Sequence, residues 1–532
     1  MASISQIAYP PPFSDHRLSE LQSEIQDWQL THGSLIKVFI GDDDGTILAR
    51  PIGVSMFPTL FPKSNFEQAL QIQESYNELY AAIAEDEVWL SNVLSDLIES
   101  DPFARALWKI HQRTKREGAC LQPLTLGIFR SDYMLHCPPD SRELHADDTT
   151  SPSVEHSSSS SPLEIKQVEI NTFSCAGGTH GNIATNMHHH LNRIPVYQTP
   201  ASSQHPSYPT HPVTLSSLPS TNTIASLVSS LAAAHTAYGP PEISVRSTAI
   251  LMIVQPNNIN ICDERPIEYG LWSRDPPVPC YRAKFPLDIL THTEISPSGA
   301  LLYYPPNGVG KFEISVAYMR AGYDAEEHDI RGIEARVMIE GSHAIKCPSV
   351  LAQLATFKKV QQALSMPGAV ERFLPPLKAE RVRATFAPMY ALDESELGLR
   401  GRELAKNPDM AVHHVLKPSL EGGGHNIYRA DIPRFLEEMP EEEWRNYVLM
   451  EMIRPPKLSN VLLTAGGTYK GGVVSELGVF GTCLWKKGKE GRAQMVDNKM
   501  AGWSFKTKAE DVDEMSVVKG YGCFDTPCLV DC

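Results

Sequence analysis

Residues 248–254 read Thr-Ala-Ile-Leu-Met-Ile-Val, a run in which apolar side chains follow one another without polar alternation. A half-exposed strand alternates polar and apolar positions, whereas a continuous apolar run must be covered on both faces. Covering both faces takes layers, so the chain is committed to an α/β (α+β) fold with helices packed on a sheet. The neighbouring pattern supplies them: a candidate helix at 264–273, a strand near 278–284 and another at 313–320, Glu-Ile-Ser-Val-Ala-Tyr-Met-Arg. Together they mark an α/β domain over 242–355.

On the N-terminal side, residues 65–114 carry apolar positions at helical spacing, and Asp101-Pro102 predicts a break between helices. Strands are expected at 34–40, 122–129 and 164–171. Between the last two, residues 138–162 are polar and Ser-rich, too poor in apolar surface to join a core, and read as a mobile surface insertion. A Pro-, Ser-, Thr- and His-rich stretch at 196–222 precedes a small-residue helix at 223–238 that ends at Tyr238-Gly239-Pro240-Pro241, which places a boundary near 241. The C-terminal part, 356–532, holds strands at 411–417, 446–453, 471–480 and 492–499 with Gly-rich turns between them, and a helix at 350–364 leads into it.

The formal net charge of −16 excludes a general nucleic-acid or anionic-membrane surface, so any phosphate ligand must meet a local cluster of cations. Ten cysteines are scattered without paired spacing, which reads as reduced, intracellular thiols; Cys523, Cys528 and Cys532 lack the spacing of a metal site. The N-terminus has no basic region followed by an apolar run, and no stretch of about 18 apolar residues occurs, so a soluble cytoplasmic protein is expected.

The familiar nucleotide motifs fail. Gly308-Val309-Gly310-Lys311 has Pro305 at the first glycine position of a P-loop and Phe312 where Ser or Thr is required. The informative stretch is Val415-Leu416-Lys417-Pro418-Ser419-Leu420-Glu421-Gly422-Gly423-Gly424-His425-Asn426-Ile427-Tyr428. A strand delivers a lysine, and a carboxylate and three glycines follow, the composition that lets backbone N–H groups drape phosphate oxygens; a flexible surface hairpin is the alternative. Glu169 and Asn171 share one face of the strand ending in Glu-Ile-Asn and can present two oxygens to a hard cation, or simply face water. Arg130 stands at the end of another strand, where a sheet opens on a ligand or a surface ion pair forms.

Five blocks in order carry a resemblance: Arg130-Ser131-Asp132-Tyr133-Met134; Lys166-Gln167-Val168-Glu169-Ile170-Asn171-Thr172; Glu334-Ala335-Arg336 through Ser342-His343-Ala344-Ile345-Lys346-Cys347-Pro348 to Lys358-Lys359-Val360-Gln361-Gln362; Leu416-Lys417-Pro418 with Glu421-Gly422-Gly423-Gly424; and Ser475-Glu476-Leu477-Gly478. The chain resembles eukaryotic glutathione synthetase from about residue 65 to 508. The resemblance implies an ATP-grasp fold whose lobes hold ATP, an inserted substrate-binding α/β domain, a homodimer, and ATP- and Mg²⁺-dependent ligation of γ-glutamylcysteine to glycine. Carried over by matching positions, it implies that Glu169, Asn171 and Glu421 hold Mg²⁺, and that Lys358, Lys417 and Lys508 approach the nucleotide. Met450, Glu451, Met452 and Ile453, with Glu476, would hold adenine and ribose; Gly422, Gly423, Gly424, Asn426 and Tyr428 would form the glycine-rich flap. Arg130 would face the transferred phosphate as the catalytic cation, and Ser174, Asn260, Glu264, Arg320 and Tyr323 would grip the donor. Lys506, Val517 and Val518 would lie at the acceptor.

Several positions depart from the family pattern. Ala176 replaces a serine, Glu264 stands where glutamine is usual and Asn258 where glutamate is common. Lys506 occupies the position of an arginine that clamps the acceptor carboxylate, and a point charge does not reproduce a bidentate fork. Met515-Ser516-Val517-Val518-Lys519-Gly520 replaces a Gly- and Ala-rich lid. A paralogous ligase with another acceptor amine or donor acid, and a non-enzymatic nucleotide binder, therefore remain as alternatives.

Overall fold

A long antiparallel hairpin, Gly467–Lys487 with Ala493–Ala509, forms the spine of the molecule, its register running from Val473 opposite Ala509 to Lys487 opposite Ala493. The computed structural model describes residues 4–7, 9–39, 47–118, 122–138, 162–197, 213–242, 247–308, 310–419, 425–488 and 491–531. Strand Leu124–His136 pairs antiparallel with the outer edge of the hairpin, and Glu164–Asn171 pairs antiparallel with Leu124–His136. Along the same sheet the direction changes: Ile345–Cys347, Phe312–Met319, Ser247–Val254 and Cys280–Lys284 run parallel to one another, and Ile345–Cys347 pairs parallel with Leu124–His136. Among the described residues thirteen strands thus share one mixed sheet, and a separate four-stranded antiparallel sheet holds Met389–Ala391, Tyr447–Glu451, His414–Pro418 and Ile427–Tyr428.

The apolar run that fixed the fold class behaves as its composition requires. Ile250, Met252 and Val254 face one cluster with Leu227, Val228, Leu231, Ile267 and Leu271, which belong to helices Thr223–Tyr238 and Ile261–Trp272. Ala249, Leu251 and Ile253 face the opposite cluster with Ile289, Ala335 and Ile339, from helices Leu287–His292 and Ile330–Gly341. A helical layer on each face leaves no room for a polar side chain on that strand.

Helix Lys63–Glu85 packs on the spine, bringing Phe66 and Tyr76 into one core with Trp485 and Trp503. That cover explains why the hairpin extends well beyond the expected 471–480 and 492–499. The expected break at Asp101-Pro102 is a helix start: the Asp101 carboxylate accepts from the Ala104 N–H at 2.7 Å and Pro102 takes the first turn of Pro102–Arg116. The helix expected at 350–364 is two, Val350–Leu354 and Lys358–Leu364, with buried Phe357 between them. The break sets Lys358 at the first position of a helix rather than in its middle.

Residues 139–161 of the expected insertion lie outside the described residues. The eight described cysteines are free thiols, and among the described residues no helix is long and apolar enough to cross a membrane. Replacing the cap, Asp101→Ala, is expected to lower stability by about 1 kcal/mol, read as a shift of the denaturation midpoint; an unchanged midpoint would show that this helix start is held by packing alone.

Candidate active site

One irregularity in the sheet builds the centre of the site. Arg130 stands opposite Asn171 and Asp132 opposite Glu169, but Tyr133 pairs with Gln167, so Val168 is an extra residue on its strand. A bulge of this kind re-aims side chains and leaves a backbone group outside the ladder. The Val168 carbonyl accepts from the Lys417 ammonium at 2.9 Å, and Val168 itself lines the cavity, although simple alternation puts it on the opposite face from Glu169. Ile170 does turn away, into the large core.

Arg130, Asp132, Glu169 and Asn171 therefore share one patch. The Arg130 guanidinium meets Asp132 through two bonds, Nε to Oδ1 at 2.7 Å and an NH2 group to Oδ2 at 2.6 Å, and gives a third to the Ala176 carbonyl at 2.8 Å. Asp132 is 1% exposed, so this is a buried fork and not the surface ion pair that Arg130 could equally have made. The Asn171 amide donates to Asp132 at 3.2 Å and to Glu169 at 3.4 Å, which turns its carbonyl oxygen away from both carboxylates. Lys358 reaches the Glu169 carboxylate at 3.4 Å. Burial pushes the Glu169 carboxyl up, but Lys358, Lys417, Arg130 and Lys506 outweigh it and hold it down at about 2. Burial lowers Lys417 to about 8, with Glu169 opposing that and Lys358 adding to it. An acidic chain has thus gathered the local excess of positive charge that a phosphate ligand requires.

These groups form one wall of a cavity of about 730 Å³ between the large sheet and the four-stranded sheet. Of the residues expected in the site, Arg130, Glu169, Asn171, Ser174, Asn260, Glu264, Arg320, Tyr323, Lys417, Asn426, Tyr428, Met450, Glu451, Met452, Ile453, Glu476, Lys506, Lys508 and Val518 line it. Lys358 touches it through Glu169. Glu421, Gly422, Gly423 and Gly424 lie outside the described residues. Val517 does not join the cavity: it is buried in an apolar cluster with Val54, Val461 and Phe524, while the next side chain, Val518, faces the cavity. Glu476, expected at the base and ribose, forms an ion pair with Lys506, its partner across the hairpin; burial raises its carboxyl, with Lys506 opposing.

At the other end, Ser174 sits at φ 49° in the loop after Glu164–Asn171, a left-handed conformation that a non-glycine residue holds only under constraint. Asp263 supplies part of that constraint by accepting from the Gly177 and Thr179 N–H groups at 3.0 and 3.1 Å. Arg320 reaches Asp263 and Glu264, each at 3.4 Å, and its guanidinium also donates to the Cys175 carbonyl. Glu264 further accepts from Arg282 at 2.9 Å and from the Asn258 amide. Asn258 and Glu264, the two positions expected to depart from the family pattern, are thus bonded to one another.

The described part of the segment expected to form the flap is fastened to residues that lead into the expected lid, 515–520. Arg429 pairs with Asp513 at 2.7 Å, the Asn426 N–H donates to Glu514 at 3.1 Å, and the Asn426 amide donates to the Tyr428 hydroxyl at 3.3 Å. Sequence reading missed Asp132, Asp513 and Glu514. Asp132 had a signal, since it stands two residues after Arg130 on the same strand face; the lid carboxylates had none.

Of the acidic and amide groups on this patch, Glu169 offers a carboxylate suited to a hard cation, whereas Asn171 turns its NH2 rather than its oxygen toward Glu169 and Asp132 is already occupied by Arg130. Among the described residues no cluster of three His, Cys, Asp or Glu forms a metal site, so any cation here needs a further ligand.

The family described as "Eukaryotic glutathione synthase, ATP binding domain" matches residues 15–529. Curated relatives include the glutathione synthetase large chain of Schizosaccharomyces pombe, 31% identical over 96% of this chain and 97% of that one. The glutathione synthetase of Xenopus laevis is 34% identical over 90% of each chain, and that of Homo sapiens 32% identical over 96% of this chain and 97% of its own. Among solved structures, a glutathione synthetase-like effector from Globodera pallida in its apo form superposes with a TM-score of 0.70 at 20% identity, covering 98% of both chains, which shows a shared fold.

An anion bound beside Lys417 favours its charged form, so if Lys417 meets the phosphates nucleotide binding is expected to take up protons and to weaken as pH rises through about 8. Lys417→Met is expected to weaken binding about 10- to 100-fold and to flatten that dependence, as read by calorimetry in buffers of different ionisation enthalpy. A wild-type affinity independent of pH across this range would contradict the placement of Lys417 at the phosphates.

Proposed function

Because the chain belongs to the eukaryotic glutathione synthase family, we propose that its cavity joins γ-glutamylcysteine to glycine at the expense of ATP. The chain is an ATP-dependent ligase of the glutathione synthetase type, and the chemistry follows from the difficulty of the bond. A carboxylate is a poor acyl donor because its oxygen would leave as an unstable dianion. Transfer of the γ-phosphoryl group of ATP to the donor carboxylate makes an acyl phosphate, and the amine of glycine then attacks the carbonyl, forming the C–N bond as phosphate leaves.

The single observation that carries this reading is the ionised Glu169 held among Lys358, Lys417, Arg130 and Lys506 on one wall of the cavity. Arg130, fixed by Asp132, would offer its charge to the transferring phosphoryl oxygens without reorganising, and Lys417 and Lys508 would add point charges along the triphosphate. Glu169, Asn171 and Glu421 would hold Mg²⁺, which supplies charge neutralisation at the phosphates when bound. Arg320, Glu264 and Tyr323 would orient the γ-glutamyl end of the donor, and Lys506 would attract the glycine carboxylate. The flap and the lid, tied by Arg429 and Asp513, would keep water from the acyl phosphate. A homodimer in the cytoplasm accompanies this reading.

The test is to offer the purified chain ATP, Mg²⁺, γ-glutamylcysteine and a panel of amines while recording ADP release. Turnover with glycine is expected; turnover only with another amine would move the acceptor, and none with any pair would refute the ligase. Glu421→Ala is expected to abolish ADP formation without unfolding the chain, and retained ADP formation would remove Glu421 from the cation site. Lys506→Arg, which restores a fork for a carboxylate, is expected to lower the glycine KM about tenfold, and an unchanged KM would exclude Lys506 from the acceptor pocket.

A further inference from the structure

Behind the cavity wall lies a carboxylate that none of the chemistry above uses. Asp525 is fully buried, on the strand Cys523–Asp525, which pairs antiparallel with the end of Ala493–Ala509 so that Cys523 lies opposite Thr507 and Phe524 opposite Lys506. Its Oδ2 accepts from the hydroxyls of Thr59 and Thr507, each at 2.6 Å, and its Oδ1 from the Thr526 N–H at 2.6 Å. Both hydroxyls are committed to donating there. Thr59 already accepts from the Asn460 amide at 2.6 Å, and Thr507, having given its hydrogen to Asp525, accepts from Ser475 at 2.8 Å.

The position of this network matters more than its size. Thr507 lies between Lys506 and Lys508, and Ser475 between Val474 and Glu476; these four flanking residues line the cavity, while Thr507 and Ser475 point to the opposite face. The lid leaves the hairpin after Ala509 and returns at Cys523, opposite Thr507. One buried carboxylate therefore fastens the returning end of the lid to the strand that carries Lys506 and Lys508, and through Ser475 to the strand that carries Glu476. We propose that Asp525 is a positioning residue for the acceptor end of the site, setting the lid and Lys506 against each other from behind.

The surroundings argue against a merely structural role. Asp525 makes no ion pair among the described residues, and the titratable groups around it are neutral: Tyr9, Tyr197, Cys523 and Cys528 are pushed up by burial, and His188, which meets the Thr526 hydroxyl at 2.8 Å, is pushed down to about 4. Burial raises the Asp525 carboxyl to about 6, with the hydroxyls opposing. Its folded value lies above its unfolded one, so its favourable contribution to stability is lost as pH rises through about 6, and near neutrality the fold keeps this charge at a cost.

Asp525→Asn keeps the shape but presents an acceptor on one side only. If its oxygen faces Thr59 and Thr507, its NH2 opposes the Thr526 N–H; if reversed, it opposes both hydroxyls. The proposal rests on the ligase reading for its kinetic arm, and hydrogen exchange of residues 510–522 provides an arm independent of activity. In Asp525→Asn, lid exchange is expected to rise about tenfold, and the glycine KM about tenfold, while the γ-glutamylcysteine KM stays within about twofold. Thr507→Val, which cuts the same bond from the hairpin side, is expected to act in the same direction and decides the matter if Asp525→Asn does not fold. The melting temperature of Asp525→Asn relative to wild type is expected to rise as pH increases through about 6. Unchanged lid exchange in both variants, or an equal rise in KM for both substrates, would overturn the proposal. Faster lid exchange in a chain that makes no glutathione would uphold the positioning role and refute the ligase reading instead.

Discussion

The site depends on one buried fork. Asp132 holds Arg130 through two charge-assisted bonds, and the bulge at Val168 brings Glu169 and Asn171 opposite the pair. A carboxylate in such a setting would protonate if burial acted alone. Four surrounding cations keep it ionised, a local cluster of positive charge in a protein whose net charge is −16. Without Asp132, Arg130 would keep only its bond to the Ala176 carbonyl; Lys417 is held to the bulged strand by the Val168 carbonyl.

The rest of the architecture serves that centre. The spine hairpin carries Glu476, Lys506 and Lys508 along one wall, the parallel strands carry Arg320 at the far end, and the four-stranded sheet brings Lys417 and residues 450–453 over the top. The divergence of the substrate positions is coherent when seen in place. Asn258 and Glu264 are bonded to each other, and Lys506 finds a counter-charge in Glu476. The segments expected as lid and flap meet through the ion pair of Arg429 with Asp513.

Much of this was legible in the sequence because it depends on local pattern. The run at 248–254 announces a doubly covered strand, Asp101-Pro102 announces a break between helices, and the alternation of Glu169 and Asn171 announces that they share one face. What was not legible depends on pairing between distant segments. No spacing rule reveals the register shift between 132 and 133 that puts Val168 in the cavity, the break at Phe357 that points Lys358 at Glu169, or the cross-strand partnership of Glu476 with Lys506. Val517 and Val518 show the same limit on a smaller scale: two adjacent valines cannot both face one cavity, and the packing of Val54, Val461 and Phe524 decides which turns inward.

The claim that the Glu169 centre transfers a phosphoryl group onto the donor carboxylate is tested most directly by oxygen labelling. With ¹⁸O in the glycyl-accepting carboxylate of γ-glutamylcysteine, unlabelled ATP, Mg²⁺ and glycine, the account predicts that one ¹⁸O appears in the inorganic phosphate released, as read from its ³¹P isotope shift. Phosphate released without label during peptide formation would contradict it.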